Sequence, residues 1–122
     1  MKILLSLVLL CLFPTLSNAG ITPQLHCVGT EPFWGITTDA KGFLSMSNPN
    51  SNSKKFYSKT TVTNAYGMAD GFAFQIKAQN WLKNTLKLNV VKTKCSDGMS
   101  DTVYPYTALV DVGGEIYYGC CK

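Results

Sequence analysis

Cys120 and Cys121 are neighbours in the sequence, and neighbouring residues on a β-strand point to opposite faces of the sheet. A bond between the two would close a small strained ring, so each must look elsewhere for a partner. The other cysteines are Cys11, Cys27 and Cys95. Cys11 lies in an apolar N-terminal run that is expected to be removed, which leaves an even set of four in an exported chain, the usual mark of a disulfide framework. Two arrangements remain. The preferred one is Cys95–Cys120 with Cys27–Cys121; the alternative is Cys27–Cys120 with Cys95–Cys121. Either ties the first strand and a late loop to the C-terminal strand. A zinc site is not expected, because His26 is the only histidine and no Cys-x-x-Cys pair occurs.

Export is read from residues 1–19. Lys2 supplies a positive start, residues 3–13 are almost wholly apolar, Pro14 interrupts them, and Ser17-Asn18-Ala19 places small residues before a cut after Ala19. The run is shorter than the roughly 20 residues that a membrane span needs. The expected organisation is a signal peptide over 1–19 and a single domain over 20–122, periplasmic or secreted and monomeric, with no stable membrane span after cleavage. About 103 residues then remain, and a domain of that size has a modest core that gains from covalent staples.

Hydrophobic alternation sets the fold class. Residues 25–28, 33–38, 43–47, 56–62, 72–77, 86–91, 106–112 and 115–121 read as short strands separated by Gly, Asn, Asp and Pro. Phe72, Phe74 and Ile76 alternate with polar or small residues, as do Leu86, Leu88 and Val90. A short helical turn is allowed only over 78–84. Residues 48–55 form a polar loop of turn formers, the best candidate for a mobile tip, and residues 96–105 a second loop. The expectation is all-β: a small antiparallel barrel, or a sandwich, of about seven to eight strands. Closure is preferred because it removes edge strands.

The charges exclude more than they suggest. The net charge is +4, or +3 without Lys2, and all eleven basic residues are lysines. A nucleic-acid or phosphate reader would favour guanidinium forks. A hydrolase needs a base beside its nucleophile, and His26 adjoins a cysteine expected in a disulfide. Glu31, Asp97 and Asp101 are the only acids in suggestive loops. Asp97 and Asp101 supply too few oxygens for a calcium loop and are better read as side chains bonding their own turn. No enzyme activity, cofactor or metal is expected.

The densest run of unusual residues is Gly29-Thr30-Glu31-Pro32-Phe33-Trp34. We read it as a fold-defining corner. Trp34 and Phe33 plug the barrel, Pro32 sets where the strand begins, and a half-buried Glu31 caps amides of the Asp97 loop. The candidate binding surface joins Glu31, Phe33 and Trp34 to Asp97, Asp101 and Tyr104, because the preferred disulfides draw Cys27 and Cys95 to one strand. Tyr104-Pro105-Tyr106 and Tyr117-Tyr118 must each turn one ring outward, where tyrosine suits partner or glycan contact.

These residues carry a resemblance. Gly29-Thr30-Glu31-Pro32-Phe33-Trp34 is similar to the GNEPFW signature of a largely uncharacterised family of small bacterial envelope proteins, many of them lipoproteins. Thr30 stands where asparagine is usual. Cys95-Ser96-Asp97-Gly98-Met99-Ser100-Asp101, then Tyr104-Pro105, then Gly119-Cys120-Cys121 resembles the same family's C-terminal signature. Domains of this kind accompany META domains and inhibitors of c-type lysozyme, which implies an envelope stress or defence setting and supplies no catalytic residue. The expected function is an exported, non-enzymatic binding or protective module for an unknown protein or envelope glycan. The alternatives are a lysozyme-inhibitor-like protein, and a purely structural or cation-binding envelope protein.

Overall fold

A computed structural model describes residues 22–48 and 53–122. The expected signal peptide, its expected cut site and the centre of the 48–55 loop lie outside the described residues. Alternating side chains build eleven strands: β1 His26–Thr30, β2 Phe33–Thr38, β3 Leu44–Ser47, β4 Lys54–Tyr57, β5 Lys59–Asn64, β6 Ala73–Gln79, β7 Thr85–Val91, β8 Cys95–Ser96, β9 Val103–Tyr104, β10 Tyr106–Val112 and β11 Glu115–Cys121.

Nine of them form one antiparallel sheet in the order β4-β3-β2-β1-β11-β10-β7-β6-β5. Its two edge strands, β4 and β5, are separated in sequence only by Ser58. A flat sheet cannot join its own opposite edges through one residue, so the sheet curls into a nearly closed barrel. The lead-in before β1 reinforces the seam, with the Thr22 hydroxyl 2.9 Å from that of Thr60 in β5. The interior is filled by one residue in two from each strand. Ile76, Leu88 and Val110 form one cross-strand row and none is accessible to solvent. Each such side chain contributes about 1.5–3 kcal/mol by leaving water.

Cys120 and Cys121 face opposite ways. Cys121 points into the barrel and bonds Cys27, its direct register partner across β1 and β11. His26 and Lys122 exchange backbone hydrogen bonds of 2.8 and 2.9 Å next to it. The cysteines therefore occupy the wider-spaced site between bonded pairs, where facing Cα atoms are closest; their separation is 4.0 Å. Cys120 points outward and bonds Cys95. Cys95, Cys120 and Tyr104 make a second small core on the outer wall, packed against Val28, and β8 and β9 pair as a separate two-stranded sheet above it.

The strand count exceeds the sequence expectation for two local reasons, and one strand is also longer than expected. The 56–62 strand is two strands, because Ser58 marks the crossing of the seam. The strand starts earlier too, since Lys54 and Lys55 pair with Ser47 and Met46. The 96–105 loop contains most of β8–β9, whose pairing is fixed by a disulfide rather than by alternation. The helical turn expected over 78–84 is instead the end of β6 and a hairpin loop. Asn80 accepts from the backbone N–H of Lys83 with its carbonyl and from that of Asn84 with its side chain, at 2.9 Å each. Such local bonding gives the backbone an alternative to helix.

The two bridges close loops of very different length, with sequence separations of 94 and 25. Loop-closure entropy makes the longer one worth about 4–5 kcal/mol and the shorter about 3–4 kcal/mol. Guanidinium unfolding of Cys27→Ala/Cys121→Ala and of Cys95→Ala/Cys120→Ala is expected to rank the first pair as the more destabilised; the reverse order would contradict this assignment.

Candidate functional site

The corner begins where β1 ends at Thr30 and β2 starts at Phe33, with Thr30 and Phe33 paired. Glu31 and Pro32 make the turn between them, joined by a cis peptide bond. Alternation then sends adjacent aromatics apart: Trp34 is 4% exposed and Phe33 is 61% exposed. Trp34 alone enters the barrel, and the expectation that Phe33 also plugs it is corrected. The strand phase leaves room inside for only one of two neighbours.

Trp34 lies on a floor of glycine. A Cβ on its register partner Gly29 would stand 1.8 Å from the indole nitrogen. A Cβ on Gly119 in β11 would stand 2.5 Å from Cζ2 of the same ring and 2.3 Å from the Val28 carbonyl oxygen. The indole N–H donates to the Tyr118 carbonyl at 3.2 Å. One side chain thus locks the Gly29–Trp34 stretch to the Gly119-Cys120-Cys121 stretch through both packing and a hydrogen bond.

The Asp97 loop sits beside this corner but is held differently from the expectation. Glu31 is exposed. Asp97 caps its own loop, accepting from the backbone N–H groups of Met99 and Ser100 at 2.9 Å each and from the Ser100 hydroxyl at 3.0 Å. The Met99 and Ser100 amides hold its carboxyl below the usual carboxylate range, with the Ser100 and Tyr104 hydroxyls adding to them. The stability this lends is present above the ordinary carboxyl pKa and lost as pH falls through the lowered one. The link to the corner is Thr30, whose hydroxyl donates to the Asp97 carbonyl at 3.1 Å. Tyr104 is buried against Cys95 and Cys120, its hydroxyl 3.5 Å from Asp97 Oδ2 and the Lys122 ammonium 5.8 Å from its ring centroid. Asp101 is exposed. The crevice between corner and loop, lined by Thr30, Asp97 and Gly119 among others, holds about 30 Å³, room for about one water.

The structure therefore brings together the neighbourhoods of Glu31 and Asp97, as Thr30 bonds directly to Asp97. It separates the six candidates by role. Trp34 and Tyr104 are packing residues, Asp97 is a loop cap, and Phe33, Glu31 and Asp101 face solvent. Among the described residues, no group of three or more His, Cys, Asp or Glu side chains stands close enough to hold a metal ion.

An apolar outer face extends from Phe33. Tyr118 lies directly opposite Leu109, and Ile116, two residues before Tyr118, shares its side of β11. Continuing the β1–β11 register past Val28–Cys120 sets Thr30 against Tyr118, which places Phe33 one strand further on. Phe33, Leu109, Ile116 and Tyr118 are all exposed, Ile116 at 68%. Met99 is exposed in the adjoining loop. Sequence reasoning required one ring of Tyr117-Tyr118 to face out. It missed Leu109 and Ile116, although the inward phase of Ala108 and Val110 puts Leu109 outside; consecutive apolar residues blur that signal.

Comparisons of the chain with protein-family models, with curated proteins and with solved structures give no match.

The glycine floor makes a sharp expectation. Gly29→Ala must displace the indole and should cost about 1–3 kcal/mol by overpacking. In a Trp34→Ala background the same change should cost far less, because the clashing ring is gone. A double-mutant cycle by denaturant unfolding measures this, and equal costs in both backgrounds would refute the contact.

Proposed function

We propose that the mature protein is an exported, non-enzymatic binding module of the bacterial envelope, and that it engages a protein partner through the outer face made by Phe33, Leu109, Ile116 and Tyr118. The observation that carries this reading is the exposure of Phe33 beside a buried Trp34. The corner spends one aromatic on the core and offers the other to solvent, across Thr30 from Tyr118 and the exposed Leu109 and Ile116 beside it. Contiguous exposed apolar surface on a small soluble domain marks an interaction site, and its tyrosine and aromatic content suits a contact core. The surrounding structure is rigid: Trp34 pins β2 to β11, and Cys95–Cys120 pins the adjoining loop. A preorganised face loses little entropy on binding. The two disulfides are compatible with the oxidising compartment that the signal sequence implies.

A glycan is the second reading. Beside Leu109, the Gln75 side-chain amide donates to Asn89 Oδ1 at 2.8 Å, and the Asn89 amide donates to the Leu109 carbonyl at 3.3 Å. Thr63 pairs with Gln75 along a groove of about 380 Å³. Tyr118 lies in the same row across Leu109, so the amides can read the hydroxyls of one sugar while the ring stacks on another further along the glycan.

The test uses purified mature protein and the variant Phe33→Ser/Ile116→Ser against three probes: c-type lysozymes, peptidoglycan sacculi and cross-linking to envelope proteins. Both changes are on the surface, so unfolding midpoints should agree closely. The variant is expected to lose at least about tenfold in binding to one protein partner, the effect of removing interface anchors. Binding by the variant equal to wild type for every probe would overturn the proposed face, and saturable binding to sacculi alone would replace the protein partner with the glycan.

A further inference from the structure

A second surface, separate from the corner, has its own chemistry. The β6–β7 hairpin ends in Asn80-Trp81-Leu82-Lys83-Asn84, with Gln79 and Thr85 its last pair. Trp81 is 86% exposed, and Leu82 is also exposed. Neither is on a disordered flap. The Asn80 N–H donates to the Asn84 carbonyl at 3.1 Å, the Asn84 N–H returns to Asn80 Oδ1 at 2.9 Å, and Lys83 adopts φ 62° to complete the loop. The loop spends three hydrogen bonds and a left-handed residue on holding two apolar side chains in water, where they gain nothing in the isolated molecule.

The stem below the tip is basic. Lys77 and Lys87 are direct register partners on the outer face, an arrangement that repels in an isolated sheet. Lys59 pairs with Gln79 on the same face, and Lys83 is exposed in the tip itself. Asp111 pairs with Lys87 and is the one carboxylate in this row. Glu115 lies on β11, beyond β10, and its carboxylate accepts the Tyr117 hydroxyl. Lys77 and Lys87 lie two pairs below the last rung, about 7 Å of strand. That is the depth over which an interfacial element crosses from the acyl boundary into the headgroups. Tryptophan favours that boundary, and lysine stems reach along apolar surface to place their charge among phosphates.

We infer that the β6–β7 hairpin tip is a peripheral membrane anchor: Trp81 and Leu82 enter the interface of an anionic bilayer, and Lys59, Lys77, Lys83 and Lys87 bind its phosphate headgroups. The partner is a lipid surface rather than a protein groove because the apolar apex is small and flanked by four lysines, with Asp111 beside Lys87 the one carboxylate in the row. The paired lysines, costly in the free protein, become favourable there. The anchor would hold the protein at a membrane surface without a spanning segment.

Sedimentation of the mature protein with vesicles tests this. Vesicles of phosphatidylglycerol and phosphatidylethanolamine are expected to carry the protein down at low ionic strength, and phosphatidylcholine vesicles at least about tenfold less. Trp81→Ser/Leu82→Ser should abolish sedimentation. Lys77→Gln/Lys87→Gln should weaken it by about fivefold per lysine. Brominated acyl chains should quench wild-type fluorescence and leave the Trp81→Ser/Leu82→Ser variant, which keeps Trp34, unquenched. Absence of wild-type binding to anionic vesicles overturns the inference. So does binding that survives the tip substitutions, or binding indifferent to lipid charge and to both lysines.

Discussion

An indole ring needs a flat floor, and here two strands provide one by carrying no side chain. Trp34 rests on Gly29 and Gly119, and its N–H takes the Tyr118 carbonyl. Phe33 points outward because Trp34 points inward. β11 is fixed beside β1 by the same ring that closes the corner. The local twist of the strand start, the alignment of the C-terminal strand and the aim of the exposed aromatic follow from a single contact. Any side chain at either glycine would lift the ring and shift all three.

The adjacent cysteines extend this logic to both faces of the wall. Cys121 joins Cys27 inside the barrel, one row from the indole, and Cys120 joins Cys95 outside it. A single dipeptide therefore ties the core to the satellite sheet of β8 and β9. The Asp97 loop needs that covalent tie. Its own hydrogen bonds are short-range, between Asp97 and the Met99 and Ser100 amides, and the Thr30 hydroxyl links it to the barrel. With the loop and the corner both pinned, the outer face of Phe33, Leu109, Ile116 and Tyr118 is a fixed surface.

The all-β class, the nearly closed barrel and the placing of most strands were legible in the alternation of residues such as Leu86, Leu88 and Val90, since period-2 patterning is local. Two opposed directions for Cys120 and Cys121 were legible for the same reason. What depended on non-local geometry was not. Nothing in the 56–62 run marks Ser58 as the seam of the sheet. Asp97 and Glu31 are both loop acids in sequence, and only the position of the Met99 and Ser100 amides shows which one caps. Phe33 and Trp34 are equivalent until the glycine floor assigns one of them inward. Trp81 falls in the 78–84 stretch where a helical turn was allowed, and its exposure comes from the Asn80–Asn84 closure that replaces that turn.

The tryptophans provide a paired test, because the chain has two and the structure assigns them opposite environments. Native-state hydrogen exchange of the indole N–H groups, followed by NMR, reads both at once. Trp34 is expected to exchange only with global unfolding, at the rate of the slowest amides of β1 and β11, while Trp81 exchanges within the dead time. A Trp34 indole that exchanges quickly while those amides remain protected would show that the ring is not seated on its glycines, and the account built on that contact would fail.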